Sequence, residues 1–362
     1  MSWFLRKFAW VILIIFGYGL PVQVGFANAL GETGKKKDTS DISALLQRMN
    51  DAFAQVAYDG VFSYFSGNEL ATLRVVHKLV DGAQRERLVH LNGAPREIVR
   101  HGDEVLCIVM PGDDLLSLED SIPAGPFARA FVREFESLSN AYAVEAFGEG
   151  RIAGRQALRV AIKPKDRHRY GYRLWLDKET ALLLRSELVD HEGNRLEIFQ
   201  FASIVIGDAV QDDALESEDP QGSMVSHLRL ESKTLEDVLA QASSQEPAAD
   251  SAEMDDGWTT TWLPDGYRMA DADVRRKPEH AVTNLIYSDG LAAFSIFIEP
   301  MPHRGAATMI SQNGATVALN HRVMGGSMYY LVTLVGEIPV ATAHQIIESV
   351  KRVDRPANQA GQ

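Results

Sequence analysis

Apolar and polar positions alternate with a period of two through residues 148–207 of this 362-residue chain. Leu158, Val160 and Ile162 alternate with Arg159, Ala161 and Lys163. Tyr170, Tyr172, Leu174 and Leu176 alternate with Gly171, Arg173 and Trp175, and Leu182, Leu184 and Leu188 with Leu183, Arg185 and Glu187. A fourth run, residues 195–206, follows the turn His191-Glu192-Gly193-Asn194. Such runs, separated by Gly, Asn and Asp, predict an antiparallel meander with one apolar face and one wet face.

The rest of the chain arranges itself around this meander. Ile42, Leu45, Leu46, Met49, Phe53 and Val56 share one face at helical spacing, with Ser40 or Asp41 placed to cap the helix. Strands are expected over residues 58–65, 70–80, 85–91 and 96–100, and in the run that holds Cys107. Asn92-Gly93 between two of them is a strong hairpin signal. A second helix is expected at 127–138, after the loop Pro123-Ala124-Gly125-Pro126. Helices laid on one long meander make an α+β architecture. The pattern then decays. Residues 242–256 are rich in Ser, Ala, Pro and acids and read as a linker, with a short helical turn at 235–240 before it. Order resumes at Trp258, with strands at 283–287, 291–298 and 328–335, Val317 and Leu319 in another, and an amphipathic helix at 341–350. This is a second, small α+β domain.

Composition narrows the function. Hydrophobic residues at 46% suffice for a folded core. A formal charge of −13 argues against sequence-independent nucleic-acid binding, which needs clustered cations. Arg6 and Lys7, an apolar run and Ala27-Asn28-Ala29 form an export signal. Its apolar stretch of about 13 residues falls short of the ~20 that span a bilayer. Export with cleavage after Ala29 and a soluble mature protein are therefore expected. Cys107, the single cysteine, has no intrachain partner and reads as a small buried residue. No nucleophile elbow, zinc-binding H-E-x-x-H or phosphate loop is present, and no two of the ten histidines stand three or four apart. No catalytic residue, metal or cofactor is expected, and the chain is not read as an enzyme.

Two features remain. Residues 151–173 carry eight lysines or arginines and one acid, a local charge of +7. Arg151, Arg155, Arg159, Arg167, Arg169 and Arg173 are the candidate anion or partner patch; the alternative is a solvated sheet face whose arginines pair with neighbouring acids. The apolar phase of the meander, Leu158, Val160, Ile162, Leu174, Leu184 and Leu188, is the candidate lining for a lipid chain. A dozen buried methylenes yield roughly 10 kcal/mol gross, enough to compete with a protein partner. The alternative is a fully packed interior.

Several motifs carry a family resemblance. They are Tyr58-Asp59-Gly60, Pro95-Arg96-Glu97 and Tyr170-x-Tyr172-x-Leu174-Trp175-Leu176-Asp177 in the first domain. In the second they are Thr261-Trp262-Leu263-Pro264-x-Gly266, Tyr287-Ser288-Asp289-Gly290-Leu291-x-x-Phe294-Ser295 and Val335-Gly336-Glu337-x-Pro339. In this order, behind an export signal, they resemble the MucB/RseB family of periplasmic negative regulators of the envelope-stress factor sigma-E. The resemblance implies a large N-terminal half-barrel similar to lipoprotein carriers, with helices on the concave face of an antiparallel meander, plus a small C-terminal α+β domain. It places a signal peptide at 1–29, a flexible start at 30–40, the half-barrel at 41–210, an acidic linker at 211–256, the small domain at 257–354 and a flexible tail at 355–362. It implies binding to the periplasmic region of an anti-sigma-E factor of RseA/MucA type, shielding it from site-1 proteolysis, with release by lipopolysaccharide or lipid acyl chains. A homo-oligomer is compatible with all of this. The runner-up is a periplasmic lipid or lipoprotein carrier without a role in signalling; the second domain, which a simple carrier does not need, favours the regulator. The long acidic segment 208–256 departs from the family pattern.

Overall fold

The computed structural model describes residues 39–93, 96–102, 104–109, 140–217, 224–229, 257–276, 281–301, 309–326 and 328–352. The export signal, the loop at 123–126, the helix expected at 127–138, the turn at 235–240 and the tail at 355–362 lie outside these residues.

Helix α1 (Thr39–Gln55) begins two residues before the expected domain start, so Ser40 and Asp41 lie in its first turn. Leu46, Met49 and Ala52 are buried, and Leu45, Phe53 and Val56 pack against the same core. Five strands follow: β1 (Tyr58–Ser66), β2 (Glu69–Val80), β3 (Ala83–His90), β4 (Arg96–His101) and β5 (Glu104–Val109). The Asn92-Gly93 hairpin pairs Val89 with Glu97 as expected. A second run comprises β6 (Tyr142–Ile152), β7 (Arg155–Pro164), β8 (Gly171–Asp177), β9 (Leu183–Val189) and β10 (Arg195–Ile206). β10 pairs antiparallel with β1 and joins the two runs into one sheet. The chain then adds β11 (Met224–Arg229) to the far side of β5. The order is β11-β5-β4-β3-β2-β1-β10-β9-β8-β7-β6, eleven strands with β11 and β6 at the edges. This is the open, unclosed sheet expected of a half-barrel.

Two strands of this sheet were not anticipated. β6 carries a register shift between Ala146 and Glu149, which breaks the alternation that marks a strand. β11 lies inside the segment read as a linker. That segment is also tied down by a 3-10 turn at Asp212–Leu215. Leu215 and Val210 are buried against Val76 on the outer sheet face, where the guanidinium of Arg87 donates to the Ala214 carbonyl.

The second domain has a six-stranded antiparallel sheet. It consists of β13 (Arg268–Arg276), β14 (Ala281–Ser288), β15 (Ala293–Met301), β16 (Ile310–Asn313), β17 (Thr316–Gly325) and β18 (Met328–Gly336), in the order β13-β14-β15-β18-β17-β16. Helix α2 (Val340–Glu348) buries Ala343, Ile346 and Ile347 against Leu285, Phe294, Ile296 and Leu334. β12 (Trp258–Thr260) and β19 (Val350–Arg352) pair with each other and fasten the two ends of the domain together.

Candidate functional site

Strands β6–β10 present two faces of opposite character. On the inner face, which α1 covers, register aligns Val160 with Leu174, Ile162 with Tyr172, and Tyr172 with Leu188. Val160, Ile162, Leu174 and Leu184 are wholly buried, Leu188 nearly so, and Leu158 half-buried. The candidate lipid lining, Leu158 aside, is therefore part of the hydrophobic core shared with Met49, Tyr58 and Phe201. The expected phase fails at one point. A register shift between Trp175 and Leu176 sets Leu183 opposite Leu176, so Leu182, Leu183 and Leu184 are all buried in succession.

The six candidate arginines go to four different places. Arg151 is exposed, its Nε donating to the Gly154 carbonyl at 3.3 Å, and Arg167 is exposed. Arg155 pairs with Asp177 at 2.6 Å and Glu179 at 2.9 Å. Burial opposes ionisation of Asp177, but hydrogen bonds from Arg155 and Thr180 outweigh it and hold the carboxyl below the usual range. Arg169 is completely buried at the domain junction. Only Arg159 and Arg173 meet, in a groove on the outer face.

That groove occupies about 700 Å³. Register places Arg159, Trp175, Arg185 and Gln200 in one row across β7, β8, β9 and β10. Phe147, from the irregular part of β6, extends the row at its edge. The Arg159 guanidinium lies 4.2 Å from the Phe147 ring centroid and 5.6 Å from that of Trp175; Arg185 lies 4.9 Å from Trp175. The result is a ladder in which aromatic rings and cations alternate. Gly150 belongs to it, since a Cβ there would stand 3.2 Å from the Trp175 indole. In the next row Ala161 faces Arg173, and Arg173 faces Glu187. Glu187 accepts from Arg185, pairs with Arg195 at 2.9 Å and approaches Arg173 at 3.5 Å. Its burial opposes charge, but the hydrogen bonds from Arg185 and Arg195 hold it ionised, below the usual carboxylate range. Lys163 pairs with Glu145 at the rim.

The domain junction is the second built feature. Arg169 donates to Asp289 Oδ2 and to the Asp265 carbonyl, both at 2.6 Å, and to Asp166 at 3.1 Å. Tyr142 Oη donates to the same Asp289 oxygen at 2.9 Å. Tyr170 Oη donates to the Ile338 carbonyl, and His168 meets Thr342 and Trp262. Burial and then Asp289 push the Tyr142 hydroxyl well above its ordinary pKa. Leu291 and Ala315 of the second domain enter the core of the first. At Gly314 (φ +57°) a Cβ would lie 2.4 Å from Ser66 Oγ, so a side chain there would force the domains apart. Glu197 accepts from Tyr64, Ser66 and the Ala315 amide beside it. Among the described residues no three His, Cys, Asp or Glu side chains cluster as metal ligands, and no helix is long and apolar enough to cross a membrane.

Comparison with known proteins covers both domains. Residues 41–218 match the model of the MucB/RseB N-terminal domain, and residues 252–351 that of the MucB/RseB C-terminal domain. The chain is 33% identical over 317 residues to the sigma factor AlgU regulatory protein MucB of Pseudomonas aeruginosa, covering 86% of this chain and 91% of the relative. It is 27% identical over 313 residues to the sigma-E factor regulatory protein RseB of Escherichia coli K12, covering 85% and 90%. The complex structure of Pseudomonas aeruginosa MucA/MucB matches with a TM-score of 0.68 at 31% identity, over 87% of this chain and 100% of that one. A crystal structure of MucB in complex with MucA(peri) matches with the same TM-score over 88% of this chain. The motifs, the open sheet and the appended domain thus have one source: the chain belongs to the MucB/RseB family.

Proposed function

We propose that this protein is a periplasmic regulatory binding protein that holds the periplasmic region of an anti-sigma-E factor. The observation that carries the reading is the match across both domains to MucB, a sigma-factor regulator solved in complex with MucA(peri). In this reading the mature chain begins after Ala29, and bound protein shields the anti-sigma factor from site-1 proteolysis. Lipopolysaccharide or lipid acyl chains release it. Support for a lipid response comes from the apolar inner face of β7–β9, which α1 covers. Because Val160, Ile162, Leu174 and Leu184 are packed, an acyl chain enters only by displacing core contacts, which would couple lipid binding to a change of shape.

The test is a titration of lipopolysaccharide into a preformed complex of the mature protein with the anti-sigma factor's periplasmic segment. Dissociation is expected. A complex that forms but ignores lipid would leave a shield whose signal arises elsewhere. Failure to form any complex would favour a periplasmic lipid or lipoprotein carrier.

A further inference from the structure

The geometry points to the outer groove as a docking site for an acidic polypeptide segment, its carboxylates received by Arg159 and Arg173. Arg159 is the central residue. Rings flank its guanidinium, which fixes the plane and leaves the N–H edge for a planar oxyanion. Among the described residues no carboxylate lies within ion-pair distance of it. Its Nε is buried without a hydrogen-bond partner, as is that of Arg185. The Arg159 side chain as a whole is only half-buried and lines the groove, so an arriving carboxylate can pair with a guanidinium that has no carboxylate of its own. Nearby, Arg173, Arg185 and Arg195 share the single carboxylate of Glu187. With Lys163 and Glu145 at the rim, five cations face two acids in a chain whose overall charge is −13. Ala161, small and central, keeps the floor between Arg159 and Arg173 open.

The same geometry favours a polypeptide over a lipid. The floor of the groove is the sheet itself, and directly beneath it Val160, Ile162 and Leu174 have no exposed surface. An acyl chain finds no apolar depth here, so a lipid bound by its head group would leave its tails in water. The groove also opens beside β6, an edge of the eleven-stranded sheet. Among the described strands the outer backbone groups of β6 have no partner strand, and an extended peptide can pair with them while its side chains reach the cations. The inference rests on the reading of this chain as a binding protein, not on which partner it binds.

The experiment uses the full mature chain and a fluorescein-labelled peptide of eight glutamates, with an eight-glutamine peptide as control, followed by anisotropy. Saturable, salt-sensitive binding of the acidic peptide alone is expected. Arg159→Ala should weaken it about tenfold or more, as for a desolvated charge rather than a rim one. Arg151→Ala, an exposed arginine that does not line the groove, should leave it unchanged. If Arg159→Ala does not fold, Arg195→Glu reverses charge at a more exposed groove position and should weaken binding likewise. The idea is overturned by equal binding of both peptides, by no saturable binding below millimolar concentration, or by indifference to the groove substitutions. It is also overturned if phosphatidylglycerol vesicles, and not the peptide, bind in an Arg159-dependent way. Complex formation with the anti-sigma segment is measured separately, so loss of one interaction without the other distinguishes the two readings.

Discussion

Replacing Arg169 with methionine should loosen the junction between the two domains while leaving each domain folded. The substitution removes hydrogen bonds to Asp289 and to the Asp265 carbonyl at 2.6 Å, and another to Asp166 at 3.1 Å. Both members of the Arg169–Asp289 pair are wholly buried. Removing one partner of such a pair costs about 3–5 kcal/mol, mostly because the other charge is stranded. Asp289 would not be entirely stranded. Tyr142 still donates to Oδ2, and the Leu291 and Ala292 amides still donate to Oδ1 at 2.9 and 2.7 Å. The loss should therefore fall at the low end, about 3 kcal/mol, or roughly a hundredfold in the equilibrium that keeps the junction closed. Urea unfolding followed by tryptophan fluorescence and circular dichroism measures it. The decisive quantity comes from a double-mutant cycle with Asp289→Asn. A coupling energy near 2 kcal/mol is expected, within the range for residues in direct contact. A coupling below about 0.5 kcal/mol would refute the claim that this pair fastens the domains.

Three further outcomes follow from the same contacts. His77 is buried, stacks on Tyr58 at 5.0 Å and lies 3.3 Å from the Ala54 carbonyl; burial, with Arg100 adding, lowers its pKa. Its contribution to stability is present above the ordinary histidine value near 6.5 and is lost as pH falls below it. Protein crowding and then Glu197 push Glu337 up to about 7, which acts oppositely: its contribution is full below the ordinary 4.5 and lost as pH rises through 7. The Glu337 side chain is still reached by solvent, which weakens its effect. The difference in melting temperature between wild type and His77→Gln should therefore change between pH 7 and 5, and a pH-independent difference would contradict the assignment. Leu184→Ala should cost about 2–5 kcal/mol in urea unfolding if the inner face is packed; a cost under ~1 kcal/mol would indicate an open cavity. Gly314→Ala should destabilise the junction by about 1–3 kcal/mol through its positive φ and the clash with Ser66, and an unchanged unfolding curve would contradict that close approach.

Local pattern carried much of this structure, and long-range partners the rest. Val160, Ile162, Leu174 and Leu188 were legible because strand period and burial agree there. β6 was not, because Phe147 and Gly148 fall in an irregular stretch that interrupts the alternation. Nor was β11, whose surroundings in the chain are acidic and poor in apolar residues. The burial of Leu183 depends on a shift in its pairing with β8, which no window within β9 reveals. Arg169 looked like one more surface cation because the carboxylate that buries it lies 120 residues away. The ladder of Phe147, Arg159, Trp175 and Arg185 appears only when four strands are set in register. The excess of arginine was legible in the sequence, but which arginines face the groove depends on cross-strand pairing.

The placement of the tryptophans gives the molecule its own optical readout. Of the five, Trp3 and Trp10 precede Ala29 and would leave with the signal peptide. Trp175 is then the sole indole of the large domain, with cationic guanidinium groups beside its ring in the groove. Trp258 packs on Tyr330 inside the small domain, 4.8 Å away, and Trp262 sits 5.3 Å from His168 where the domains meet. Emission from the native chain thus carries separable signals. A ligand drawing Arg159 or Arg185 off the Trp175 ring alters one indole, and parting of the domains removes His168 from another. Replacing Trp175 or Trp262 singly with phenylalanine assigns each signal, so the order of groove occupancy and domain opening can be timed without any added dye.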